Sequence, residues 1–202
     1  MKIAILAAAA VSLGVGACAP DAVPTSGAVV KAMHGKGHGS AVHIGNGLYL
    51  TAAHVVRDDM RLVADNGDSA PAEILWASEK YDIALMRADI AGVDAVDLEC
   101  RVPEFGEALE LRGNPLSLEF VSTWARVAGA SRTIGDMWAE GLPVDGALIS
   151  GMSGGAALDL QGDLVGINVG TMIMPVRTAG GPAGIGIIVS GETICGLMGR
   201  LA

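Results

Sequence analysis

Every histidine in this chain precedes the segment Gly151-Met152-Ser153-Gly154-Gly155, and that order limits which folds could use Ser153 as a nucleophile. The segment fits G-x-S-x-G, the strand-turn-helix elbow of one large hydrolase class, but that class needs its histidine after the serine. His34, His38, His43 and His54 all come before it, which excludes that arrangement. An order of acid, histidine, serine would need a carboxylate ahead of His54, and the only one is Asp21, in a small, polar leader. What remains is histidine, then acid, then serine, with the reacting groups drawn from both halves of the chain.

The strand pattern also divides the chain in two. SAVHI and LYLTAA flank Gly45-Asn46-Gly47, a hairpin signal whose glycines accept positive φ. MRLVA and AEILWA flank Asp65-Asn66-Gly67-Asp68, and IALMR follows Asp82. After Cys100 the rhythm restarts with EALELRG, EFVSTWARVAG, GALISG, AALDL, DLVGINVG and GIGIIVS. With 29 glycines and only 3% aromatics, the chain suits tight turns between short strands better than long helices. Two successive β-barrels are expected, at about 32–98 and 104–190, in a domain covering 32–202. Ser190 caps a short terminal helix at about 191–201, with Ile194, Leu197, Met198 and Leu201 on one face.

The first residues form no part of the fold. One lysine followed by an apolar run and small residues reads as an export signal over 1–18, and the run Ile3–Val15 is too short for a permanent membrane helix. Val15-Gly16-Ala17-Cys18 resembles a bacterial lipobox, which implies acylation of Cys18; ordinary cleavage near Ala19 is the alternative, with Pro20 a poor residue after the cut. The stretch 19–31 reads as a flexible tether. The other two cysteines, Cys100 and Cys195, are either a disulfide or two buried free thiols, and the sequence leaves both open. A net charge of −9 offers no basic stripe for phosphates, so nucleic acid is excluded as a partner. His34 and His38 in HGKGH, with His43 nearby, lack a carboxylate or cysteine companion, so the stretch reads as a mobile loop before the first strand and not as a metal site. No cofactor is expected.

Taken singly, His54 in LTAAHVV, Asp82 in YDIALMR and Ser153 in GMSGG each read as ordinary loop residues. Together, in this order, they fit three separate tasks. A serine hydroxyl needs a base to take its proton during attack, and neutral imidazole titrates in the right range. A buried carboxylate orients that imidazole and stabilises its cation. Two fixed N–H donors stabilise the oxyanion, here from Gly151 and Ser153.

The motifs resemble those of trypsin-like serine proteases of the bacterial HtrA type. Gly37-His38-Gly39-Ser40-Ala41-Val42 is similar to the family's opening GSG strand, and LTAAHVV and YDIALMR to its histidine and aspartate motifs. Arg112-Gly113-Asn114-Pro115 is similar to its GNP segment, and DGALISGMSGG, DLVGINVG and GIGIIVSGE to the serine motif and the two strands after it. The resemblance implies an all-β fold of two six-stranded antiparallel barrels and a serine endopeptidase acting on polypeptides in the cell envelope. Membrane contact would come only through a lipid at Cys18. Peptide-binding PDZ domains usually follow these barrels in the family; here the barrels are expected alone. The position before the serine is Met152, not the aspartate that pairs with a newly cut N-terminus in other trypsins. Ala147, six before the serine, implies an uncharged primary pocket, walled by Val169, Gly170, Gly184 and Ile185 and suited to small or medium apolar side chains. The alternative is a catalytically silent scaffold that binds peptides.

Overall fold

The computed structural model describes residues 27–174 and 181–199. The signal segment, Cys18, most of the proposed tether and Leu201 lie outside the described residues, as does the middle of the loop TMIMPVRTAGGPA.

The first seven strands are β1 (Val29–His34), β2 (Gly37–His43), β3 (Leu48–Thr51), β4 (Arg61–Val63), β5 (Ser69–Pro71), β6 (Glu73–Ser78) and β7 (Ile83–Arg87). They form one antiparallel sheet in the order β5-β4-β1-β2-β3-β7-β6. Its two edges belong to one run of chain: β5 pairs with β4, β6 pairs with β7, and only Ala72 separates them. That run passes from one edge to the other and curls the sheet toward closure. It also explains why seven strands stand where six were expected, since β5 and β6 together act as one bent strand.

The second half repeats the device. Strands β8 (Ala108–Gly113), β9 (Val121–Arg126), β10 (Arg132–Ile134), β11 (Trp138–Val144), β12 (Ala156–Leu158), β13 (Leu164–Met174) and β14 (Gly181–Ser190) pair in the order β10-β11-β14-β13-β12-β8-β9. β9 and β10 sit at opposite edges, yet Val127, just after β9, bridges to Val144 of β11. Leu109, Leu111, Leu142, Val144, Val165 and Ile188 fill this barrel's interior. A larger cluster joins the first barrel's core, including Val30, Val42, Leu50 and Met86, to Ile167, Ile187 and Val189 of the second. The barrels therefore share buried surface, and groups at their seam are held from both sides.

A short helix, α1 (Gly191–Leu197), follows β14, with the Ser190 side chain accepting from the Thr193 N–H as its cap. Cys195 in this helix is bridged to Cys100 in the inter-barrel segment, with Cα atoms 5.6 Å apart. Beside the bridge, Glu99 N–H donates to Leu164 and Leu164 N–H to Asp97, so the connection runs along β13.

Three expectations need correction. Residues 29–31 are not tether but strand: Val29 and Val30 are buried, and their burial outweighs the small, polar residues before them. The HGKGH stretch is not a mobile loop, because His34 and Gly37 pair across a tight turn at Gly35 and Lys36. GALISG is a loop, and the strand before the serine is β11, WAEGLPV. Pro143 within that strand has no N–H for a ladder, which hides it from a reading of the sequence.

Candidate active site

The N-terminal barrel supplies the imidazole and the acid. After β3 the chain makes a single 3-10 turn, Ala53–Val55, that buries Val55 and turns His54 outward, leaving its side chain half exposed. Asp82 ends the turn before β7 with φ at +56°, a left-handed conformation that Asp and Asn adopt more readily than most residues. Such backbone persists when surroundings hold it, and here they do. The buried carboxylate accepts three hydrogen bonds: Oδ1 from the His54 backbone N–H at 2.9 Å, Oδ2 from His54 Nδ1 at 2.7 Å, and Oδ2 again from Trp138 Nε1 at 3.0 Å. A carboxylate on Nδ1 fixes the ring's orientation and leaves Nε2 as the basic nitrogen.

The second barrel supplies the hydroxyl. Ser153 sits in a tight turn between the loop 145–150 and β12, where Met152 N–H donates to Ile149 and Gly155 N–H to Met152. Gly151 has φ of +98°, and a Cβ there would overlap the Asn114 carbonyl and stand 2.8 Å from His38 Nε2. Gly154 has φ of +82°, and a Cβ there would overlap Ser40 and Thr51. The turn is thus packed too closely for side chains at either position. Among the described residues neither the Gly151 nor the Ser153 N–H donates within the protein, whereas Met152 N–H does. Two unpaired donors beside a serine are what a developing oxyanion requires.

Ser40 ties the turn to the first barrel. Its Oγ donates to the Gly151 carbonyl at 2.8 Å and accepts from the Asn114 backbone N–H, while Asn114 Nδ2 reaches Ser40 Oγ and the Val30 carbonyl. Leu116 N–H donates to Ser150, and Lys31 bonds Glu119, whose carboxyl it holds below the usual range. The GHGSAV and GNP motifs therefore brace the serine turn. Both motifs are visible in the sequence, but nothing local to them assigns Ser40 or Asn114 a task, and Trp138 carries no sequence signal of its own.

His54, Asp82 and Ser153 line one open cleft of about 1100 Å³. Val169 and Gly170 line it too, together with Leu148, Ile149, Ser150 and Thr171. Ala147, Gly184 and Ile185 do not: Ala147 is half-buried one residue short of the cleft wall, and Ile185 is exposed on β14. The imidazole's hydrogen bond among the described residues is through Nδ1, so Nε2 and the Ser153 hydroxyl face the cleft without being bonded to each other. His43, for its part, stacks on Tyr49 and bonds the Asp94 carbonyl.

A double barrel with histidine and acid on one side of its seam and a glycine-flanked serine on the other defines the trypsin-like class. The family model for the trypsin-like peptidase domain matches residues 39–167, and the chain belongs to that family. Its relatives include the periplasmic pH-dependent serine endoprotease DegQ of Escherichia coli, 30% identical over 77% of this chain and 34% of that protein. Serine protease HTRA1 of Xenopus laevis is 36% identical over 61% of this chain and 29% of that protein. The chain thus spans about a third or less of these relatives' lengths. Among solved structures, a serine endoprotease from Yersinia pestis has the same fold, with a TM-score of 0.72 at 24% identity, covering 87% of this chain and 63% of the other.

Proposed function

We propose that this chain is an exported serine endopeptidase that cleaves polypeptides through an acyl-enzyme formed on Ser153. The observation that carries the reading is the Asp82 carboxylate on His54 Nδ1, in the same cleft as Ser153. His54 Nε2 takes the Ser153 proton as Oγ attacks the scissile carbonyl, and the Asp82 carboxylate stabilises the imidazolium that forms. The N–H groups of Gly151 and Ser153 receive the oxyanion. The imidazolium then protonates the leaving amine, and a water molecule, deprotonated by the same nitrogen, releases the acyl group.

The cleft beside Ser153 is walled by Leu148, Ile149 and Val169, none of them charged, which supports small or medium apolar side chains before the scissile bond. Mass-spectrometric mapping of products from an unfolded test protein checks this directly. Cuts should follow residues such as Ala or Val and vanish in Ser153→Ala; cuts after Lys or Arg would contradict the pocket. The name of the Escherichia coli relative places that protein in the periplasm, and the export signal with Cys18 supports an envelope location for this chain, held by a lipid. Loss of the acyl mass in Cys18→Ala, with the protein released from membranes, tests the anchor.

A further inference from the structure

We propose that Trp138 is a positioning residue for the triad, the group through which the second barrel holds the Asp82 carboxylate for His54. The inference rests on the triad reading above. Asp82 and His54 both come from the first barrel, so without an outside hold the pair could swing together away from Ser153. Trp138, the first residue of β11, reaches across the seam and donates from Nε1 to Asp82 Oδ2 at 3.0 Å, the same oxygen that accepts from His54 Nδ1.

Two further contacts fix the indole and the turn it holds. The ring's six-membered side lies on Gly170 of β13, where an added Cβ would stand 2.7 Å from Cζ2, so the tryptophan is packed between the acid and the strand that lines the cleft. The next residue, Ala139, donates its backbone N–H to the Lys80 carbonyl at 3.0 Å, pinning the turn that ends in Asp82. β11 thus grips this turn twice, once through backbone and once through the indole. The ring is itself buried, and a buried indole N–H needs an acceptor; here it is the Asp82 carboxylate, which also accepts from His54.

A donor on Oδ2 does two things for the chemistry. It aims the carboxylate at Nδ1, and it spreads the carboxylate's charge, which moderates its pull on the imidazolium. Removing the donor should slow attack through lost alignment while letting the imidazole hold its proton to higher pH. Arg57 and Glu79, the other charged groups lining the cleft, are left in place by such a change.

The test is W138F, read by the rate at which a small fluorophosphonate labels Ser153 as a function of pH, beside kcat and KM on a peptide. A hydrogen bond to a charged group corresponds to about ten- to a hundredfold, so labelling should slow by that factor, with the acid limb of its profile moved to higher pH. A residue that merely lined the cleft would change the peptide KM and leave small-probe labelling at the wild-type rate, and that result overturns the proposal. Should W138F not fold, the indole N–H resonance of Trp138 serves in Ser153→Ala protein. Asp82→Asn should shift it and leave Trp76 and Trp124 in place, whereas an unmoved Trp138 signal contradicts the bond. A folded wild type that never labels at Ser153 instead sinks the triad reading itself, separately from the role of Trp138.

Discussion

The Ser40 backbone N–H donates to the Ser153 carbonyl across 2.8 Å, so the first barrel grips the backbone of the residue proposed as nucleophile. The Ser40 hydroxyl does the same for Gly151, two residues earlier. Together these bonds hold the turn that carries the Gly151 and Ser153 N–H groups, proposed above as the oxyanion donors.

Ser40→Ala should therefore cost stability and activity together. The substitution strands the buried Gly151 carbonyl and Asn114 N–H, at about 1–3 kcal/mol for each unsatisfied group. Chemical denaturation should show a lowered midpoint with an unchanged slope, and Ser153 labelling should slow in the protein that stays folded. An unaltered labelling rate would mean the turn holds its shape without Ser40.

Gly154→Ala should be worse, because the added Cβ meets backbone at Ser40 and the Thr51 hydroxyl, and φ of +82° is strained for any L side chain. Neither neighbour is a flexible chain end, so the turn itself has to move. Loss of activity well beyond loss of thermal stability is expected, measured by turnover beside a melting curve.

Much of the fold was legible because its signals are local. Gly45-Asn46-Gly47 marks a hairpin wherever it stands, and the apolar runs of β7, β8 and β13 are strands on composition alone. The histidine, aspartate and serine could be singled out by chain order and chemistry. The bracing of the site was hidden because it is made by contacts far apart in sequence: Trp138 to Asp82 spans 56 positions, and Ser40 to Gly151 spans 111. β11 is hidden in the sequence because Pro143 argues against a strand, and GALISG resembles one because short apolar runs do not reveal whether they pair. Leu148 and Ile149 line the cleft beside Ala147, a neighbourhood that depends on how the loop 145–150 folds and not on spacing along the chain.

The disulfide should matter to stability more than to chemistry, since Cys100 and Cys195 lie on the inter-barrel segment and α1, outside the cleft. Its sequence separation of 95 corresponds to about 4.7 kcal/mol in the chain-entropy view. Cys100→Ala/Cys195→Ala should lower the unfolding free energy by that order and leave kcat on a peptide within about twofold while the protein is folded.

Acid should weaken the fold through two carboxylates. The Arg101 guanidinium bonds Glu107 at 2.7 and 3.0 Å and holds its carboxyl below the usual 4.5. Burial pushes Glu110 up, but bonds from Arg112 and Ser122 outweigh it, and its carboxyl also lies low. A carboxyl depressed in the fold binds fewer protons there than in the unfolded chain, so its stabilisation is present above about pH 4.5 and is lost as pH falls through the folded value. Unfolding free energy measured from pH 7 downward should decline below about pH 4.5, and the decline should be shallower in Glu107→Gln.

The most direct measurement is covalent labelling of Ser153 by a fluorophosphonate, followed by peptide mapping. Folded wild-type protein should carry the label on Ser153, and His54→Ala should not. Turnover should fall by about four to six orders of magnitude in Ser153→Ala and His54→Ala, and somewhat less in Asp82→Asn. A folded wild type that stays unlabelled, or a His54→Ala variant that labels at the same rate, would contradict the assignment of His54 as the base that activates Ser153.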